Sequence, residues 1–164
     1  MMKRTWYRFA LGLVALLHPS ASGAALSTRW SPMIKGPLGS GLVYCTTFRG
    51  LANGSVLILQ VSSKTMRNGL LIVKLMNTDW SIRSGDDLPE LTFRDAQGSG
   101  LAGVPETTEH GLVFHVSIEG VTAWSDTLKG EPFLLMRGGQ PLAQFDSTGL
   151  PQAIRNVRAC GRGI

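Results

Sequence analysis

Short apolar runs separated by glycine-rich or polar turns recur along this chain, and they predict a protein built mainly from β-strands. The clearest run is 111–120 (GLVFHVSIEG), where apolar side chains occupy every second position: Leu112, Phe114, Val116 and Ile118. A period of two places such residues on one face of a strand and their neighbours, here including His115, on the other. Other apolar runs predict further strands, at 42–48, 56–61, 70–77, 80–83, 90–94, 131–137 and 140–145.

Two segments have helical spacing of their apolar residues. In the first, this spacing predicts a short helix over 121–128: Val121, Trp124 and Leu128. Near the end of the chain it predicts a last helix with one apolar face: Leu150, Ala153, Ile154 and Val157. Thr148 or Gly149 is placed to cap this helix, with Pro151 in its first turn. Gly161 is expected just past its end.

These elements predict one domain of the mainly β class, either a β-sandwich or a small open barrel. We expect seven to eight mostly antiparallel strands, including a hairpin that turns at Gly138-Gly139, with a short helix and a C-terminal helix packed on the sheet. The segment 95–111 is expected to be a long connection. Residues 25–41, where proline and glycine recur from residue 31 onward, are expected to be an entry loop.

The segment 1–24 has the composition of a secretory signal peptide. Its start is basic, with Lys3, Arg4 and Arg8. A short apolar run at 9–17 (FALGLVALL) and a group of small residues follow. The run is shorter than the ~20 residues that span a bilayer. We expect cleavage after Ala24, or alternatively after Gly23, to release residues 25–164 without a transmembrane anchor.

Export changes the interpretation of the charge. The full chain carries +5, but three of its 16 basic residues lie in the predicted signal peptide, so 13 remain against 11 acidic ones, a net charge of +2. These charges are scattered, with no Lys/Arg-rich run and no basic stripe interleaved with aromatic residues. The pattern therefore argues against nucleic-acid binding and is typical of an ordinary mixed surface.

The two cysteines, Cys45 and Cys160, both lie in the predicted exported part. They are too far apart for a CxxC redox pair, and two cysteines with two distant histidines do not make a structural zinc site. In an oxidising compartment an even count favours a bridge, and here a single pairing is possible. We therefore predict a Cys45–Cys160 disulfide, and no metal or cofactor.

Candidate chemistry is sparse. His115 and the acidic group Asp86, Asp87 and Glu90 are the residues on which a hydrolase would depend, but no Gly-x-Ser-x-Gly elbow and no calcium-loop spacing accompany them. Solvated histidines and turn acids are the plainer interpretation, so no catalytic residue is predicted. Trp30, which the core does not obviously require, joins His115, Asp86 and Asp87 as a speculative binding residue.

The layout resembles small exported bacterial proteins of the invasion-associated locus B type. The resemblance rests on LVYCTTF, DWSIRSGDDLPELTF, TAWSDTLKGEPFLLMRGG and the closing FDSTGLPQAIRNVRAC, where Phe145, Gly149, Ala153 and Ile154 carry the strand–glycine–helix phrase. It implies a periplasmic, non-enzymatic β domain, in some relatives linked to host-cell interaction, and it supplies no catalytic residues. We expect a periplasmic or secreted binding protein, with a protein partner in the envelope or host. The alternatives are an immunity or inhibitor protein, or a hydrolase.

Overall fold

The computed structural model describes residues 29–37, 41–88 and 90–164. The predicted signal peptide and its cleavage site lie outside these residues. Within them the chain forms ten strands and three helices. In chain order these are β1 (Ile34–Pro37), β2 (Val43–Gly50), β3 (Val56–Ser62), α1 (Ser63–Arg67), β4 (Leu70–Met76), β5 (Leu91–Arg94), β6 (Gly100–Gly103), β7 (Glu106–Thr108), β8 (Gly111–Ser117), α2 (Ile118–Thr127), β9 (Phe133–Arg137), β10 (Gln140–Phe145) and α3 (Leu150–Gly161).

The strands form two antiparallel sheets. Six strands pair in the order β1-β2-β3-β4-β8-β7, and four pair in the order β10-β9-β5-β6. Neither sheet closes on itself, so the predicted mainly β, antiparallel fold with a C-terminal helix is confirmed, with ten described strands instead of seven to eight. No helix among the described residues is both long and apolar enough to cross a bilayer.

Several boundaries differ from the sequence prediction. The expected connection 95–111 contains two short strands, β6 and β7, whose glycine- and threonine-rich sequences carry little apolar alternation. The expected entry loop contains β1, which pairs with β2 although it includes Gly36 and Pro37. An edge strand tolerates proline because one side of it needs no donor. Residues 80–83, expected as a strand, form a loop.

The strand of the 111–120 run is shorter than its alternation predicts. The backbone changes from strand to helix at Ser117. The Ser117 hydroxyl accepts a hydrogen bond from the Gly120 backbone N–H at 3.3 Å and caps α2. Serine is a favoured N-cap because its oxygen satisfies a free amide of the first turn. Helix α2 therefore begins at Ile118, three residues before the predicted start.

The core lies between the two sheets and is rich in aromatic rings. Phe93 of β5 packs edge-on against Phe114 of β8, with ring centroids 4.8 Å apart. Phe133 of β9 lies 5.3 Å from Trp124 of α2 and 5.3 Å from Phe145 of β10. These pairs join both sheets and α2 into one apolar cluster, which includes Trp124.

The predicted disulfide is present and fixes α3 to the six-stranded sheet. Cys45 of β2 and Cys160 of α3 are bonded across a separation of 115 residues, with their Cα atoms 6.1 Å apart. The predicted apolar face of α3 is also confirmed, because all four of its residues are buried: Leu150, Ala153, Ile154 and Val157. Helix and sheet are therefore joined by packing and by a covalent bond.

Glycines allow α3 to begin and end against its neighbours. Gly149 is the N-cap and has a φ of 72°, a conformation that glycine adopts without strain. Gly161, expected just past the helix, is its last residue, and its contacts show a packing role. A Cβ at Gly161 would lie 2.8 Å from Cγ2 of Val61 and 2.7 Å from Sδ of Met66, so the close approach of α3 to β3 requires glycine there.

Candidate functional site

A cleft of about 360 Å³ opens between the two sheets where β5 begins and β9 ends. Its floor consists of core leucines from both sheets: Leu91, Leu112 and Leu135. Its walls are apolar side chains from the loop before β5 and from β10: Trp80, Ile82, Leu88 and Leu142. Polar groups also line it: Asp79, Ser81 and Arg137. An apolar pocket of this size with a few polar groups is the usual form of a small-ligand site.

Strand register places Arg137 at this cleft. Arg137 is the cross-strand partner of Leu91, and directly opposed residues lie on the same face of a sheet. Leu135 precedes Arg137 by two positions on β9 and therefore shares that face too. The arginine thus continues the inward-facing apolar row of the four-stranded sheet to the point where the sandwich opens to solvent.

His110 holds one wall of the cleft in place. Its ring Nδ1 donates to the carbonyl oxygen of Trp80 at 2.7 Å, and its backbone N–H donates to the carbonyl oxygen of Ile82 at 3.0 Å. Its own carbonyl accepts from the backbone N–H of Asn77 at 3.0 Å. The residue adopts a φ of 54° to make these bonds. The His110 side chain is 43% exposed, and these contacts make the residue a positioning residue for the cleft wall.

Asn77 orders the beginning of the same loop from a buried position. Its side-chain Oδ1 accepts from the backbone N–H of Asp79 at 2.8 Å, while its Nδ2 donates to the hydroxyl of Ser55 at 3.0 Å. The backbone N–H of Trp80 donates to the carbonyl of Asn77 at 3.0 Å. The wall is thus attached to the six-stranded sheet at both ends of the segment from Asn77 to Ile82.

The mouth of the cleft carries an arginine between two open spaces. A second cavity, of about 600 Å³, is lined by Arg137 together with Glu90, Gly138, Gln140 and Leu142. Leu142, on the edge strand β10, is 52% exposed. Its position follows from the irregular register of β10, which is interrupted between Pro141 and Ala143. At this bulge Leu142 has no cross-strand partner on β9, and it borders both the cleft and the second cavity.

The acidic residues that the sequence proposed for binding serve their own loop. The Asp86 Oδ2 accepts from the backbone N–H of Arg83 at 2.8 Å, and the Asp86 carbonyl accepts from the hydroxyl of Thr107 at 2.9 Å. Asp87 is exposed, and neither aspartate lines the cleft. Glu90 is the member of this acidic group that borders the mouth of the cleft.

The other two proposed binding residues lie elsewhere on the fold. His115 is on the outer face of the six-stranded sheet, where its Nε2 is 3.3 Å from Oε1 of Glu106. Trp30 lies against the start of α3, and its Nε1 donates to the carbonyl of Thr148 at 3.2 Å. The structure therefore does not bring Trp30, His115, Asp86 and Asp87 into one site. Over the described ranges, no group of three or more His, Cys, Asp or Glu residues is arranged to hold a metal ion.

Comparison with known proteins gives no match: no family model, no curated protein and no solved structure is significantly similar to this chain. The resemblance to the invasion-associated locus B proteins therefore stays a prediction.

Proposed function

We propose that this protein is an exported, non-enzymatic binding domain that holds a small, partly apolar ligand in the cleft between its sheets. The observation that carries the proposal is the cleft floor, where Leu91, Leu112 and Leu135 of the core border a space of about 360 Å³ open to solvent. Covering such a floor with an apolar ligand removes hydrocarbon surface from water, which favours binding by ~25 cal/mol per Å² covered.

Export to the periplasm or outside the cell is part of this proposal. The Cys45–Cys160 disulfide is consistent with an oxidising compartment, since bridges of this kind are rare in the cytosol. The signal-like composition of 1–24 supports the same assignment. A ligand of this protein would then be a compound present outside the cytoplasm.

The chemistry of the lining supports binding over hydrolysis. Nucleophilic catalysis by a serine requires a base within hydrogen-bonding distance, about 2.6–3.2 Å. Among the described residues that line the cleft, Ser81 supplies a hydroxyl and Asp79 a carboxylate, but histidine and cysteine are absent. His110 does not line the cleft, and its Nδ1 is bonded to the Trp80 carbonyl.

Binding of the neutral fluorescent probe N-phenyl-1-naphthylamine tests the proposal. We expect enhanced probe fluorescence with the unaltered protein and at least tenfold weaker binding with Ser81→Trp, which places an indole in the cleft. Ser84→Trp is the matched control, because Ser84 is also exposed in the same loop but does not line the cleft. Equal probe affinity in the two variants would contradict a ligand site in this cleft.

A further inference from the structure

We infer that the ligand of this cleft is an amphiphilic anion of about a dozen non-hydrogen atoms in total, a carboxylate on an apolar chain, and that Arg137 binds its charged group. This inference rests on the proposed function and names the ligand class of the same site. Four observations carry it: the face on which Arg137 lies, its lack of a side-chain partner among the described residues, its position between two cavities, and the volume of the cleft.

The strand register places the hydrocarbon part of the Arg137 side chain on an apolar surface and its guanidinium toward solvent. Its Cα lies opposite Leu91, on the face that Leu91 and Leu135 fill with buried side chains. The hydrocarbon part of an arginine packs on such a surface while its guanidinium stays in water at the edge. An apolar chain lying on the leucine floor would therefore have its polar end beside the guanidinium.

The Arg137 guanidinium is available to a ligand. Two other arginines form ion pairs within the fold, Arg49 with Asp146 and Arg155 with Asp126. Arg137 forms neither a hydrogen bond through its side chain nor an ion pair with any residue in the described part of the chain, although Glu90 borders the same outer cavity. A guanidinium presents its donors in a planar fork that matches the two oxygens of a carboxylate.

Two carboxylates also border these spaces, so an ammonium ligand is the competing case that the test has to exclude. Asp79 lines the inner cleft and Glu90 lines the outer cavity, whereas Arg137 lines both. Arg137 is therefore the charged lining residue that a ligand group meets in either space.

The volume of the cleft limits the size of the ligand. A water molecule occupies ~30 Å³ in the liquid, so a cleft of about 360 Å³ has room for about a dozen groups of that size. Decanoate, with about a dozen non-hydrogen atoms, fits this limit. It also has a neutral counterpart, 1-decanol, and a cationic one, decylammonium, with the same chain.

Isothermal titration of these three probes, below the concentrations at which they form micelles, tests the inference. We expect decanoate to bind the disulfide-bonded protein about tenfold more tightly than 1-decanol. Arg137→Gln should weaken decanoate about tenfold and leave 1-decanol unchanged. Arg94→Gln is the matched control: it removes the same charge from the same sheet, but Arg94 alternates onto the opposite face from Phe93 and lies outside the cleft lining.

Each other outcome has a definite meaning. If decanoate binds no more tightly than 1-decanol, or if Arg137→Gln does not weaken it, the anion inference is wrong while the cleft remains a binding site. If decylammonium binds most tightly, the recognition belongs to Asp79 or Glu90, and the inference is again wrong. If Ser81→Trp leaves the binding of all three probes unchanged, the proposed function itself fails.

Discussion

Arg49 and Asp146 form an ion pair across 97 residues of sequence, at the point where the chain leaves the four-stranded sheet for α3. The Arg49 side chain is only 5% exposed, and it donates both to Oδ2 of Asp146 and to the carbonyl of Thr148. That carbonyl also accepts from Trp30. The segment before α3 is therefore attached to β2 and to the described start of the chain by a buried cation.

Removing this cation is expected to destabilise the fold. Arg49→Met keeps most of the apolar volume but leaves the Thr148 carbonyl with Trp30 as its described side-chain donor and Asp146 without its counter-charge. We expect the free energy of unfolding in urea to fall by roughly 1–3 kcal/mol, less than for a fully buried pair because Asp146 is 52% exposed. Arg155→Met breaks the exposed pair with Asp126 and should cost under about 1 kcal/mol. Equal losses in the two variants would contradict the special role of Arg49.

The same pair predicts a dependence of stability on acid pH. Burial would raise the pKa of Asp146, but hydrogen bonds from Thr148 and Arg49, with the charge of Arg49, bring that pKa below its usual 3.8. A carboxylate whose pKa is lower in the folded state stabilises the fold at pH values above its unfolded pKa. This contribution is lost as the pH falls through the folded pKa. The unfolding free energies of the unaltered protein and Asp146→Asn should therefore converge between about pH 5 and pH 2. A constant difference over that range would argue against the linkage.

The disulfide is expected to contribute a large part of the stability. Replacing both cysteines, Cys45→Ala with Cys160→Ala, should lower the free energy of unfolding by roughly 2–5 kcal/mol, since the bridge closes a loop of more than 100 residues. Urea unfolding and the thermal midpoint measure this effect. Mass spectrometry of the non-reduced protein should show no alkylatable thiol, and two free thiols in correctly folded protein would refute the bridge.

Gly161→Ala tests the close packing of α3 on β3. The added methyl group would meet Val61, which is fully buried and cannot move aside, and Met66, which is flexible enough to adjust. We expect a loss of about 1–3 kcal/mol in unfolding free energy. Gly163→Ala is the control, because its Cβ would approach only the Cys160 carbonyl, at 3.5 Å. A neutral Gly161→Ala would mean that the helix shifts away from the sheet without penalty.

His110→Gly tests how the cleft wall is held. Glycine adopts the left-handed backbone conformation of His110 without strain, so the backbone bond to Ile82 is expected to survive. The variant has no side chain to donate to the Trp80 carbonyl, as the imidazole Nδ1 does. We expect weaker binding of N-phenyl-1-naphthylamine with a change of under about 1 kcal/mol in stability. His115→Asn, on the outer face of the sheet, should leave probe binding unchanged.

The sequence predicted the features that depend on residues close together in the chain. Alternation of apolar residues is visible in a run of eight or so positions, so the strands around Phe93 and Phe114 were predicted, as was the helix ending near Cys160. The disulfide was predictable because two cysteines allow one pairing. Strands β6 and β7 were missed because pairing with β5 and β8, and not their own sequence, makes them strands.

The cleft could not be predicted because it depends on which strands become neighbours. Nothing local distinguishes Arg137 from the other arginines; its position follows from its pairing with Leu91, 46 residues earlier in the chain. The role of His110 similarly depends on a loop that starts about 30 residues before it. The residues the sequence favoured, such as Asp86 and Trp30, were chosen by type, and type alone does not show which hydrogen bonds a loop already uses.

The bridge between Cys45 and Cys160 also gives the chain the topology of a ring with a tail at each end. All strands from β3 to β10, and the loop that walls the cleft, lie on that ring. A protease that cuts one exposed turn, such as 96–99, opens the ring but releases no fragment, so both sheets stay in one molecule. A single nick then leaves the cleft and its arginine connected to the rest of the fold.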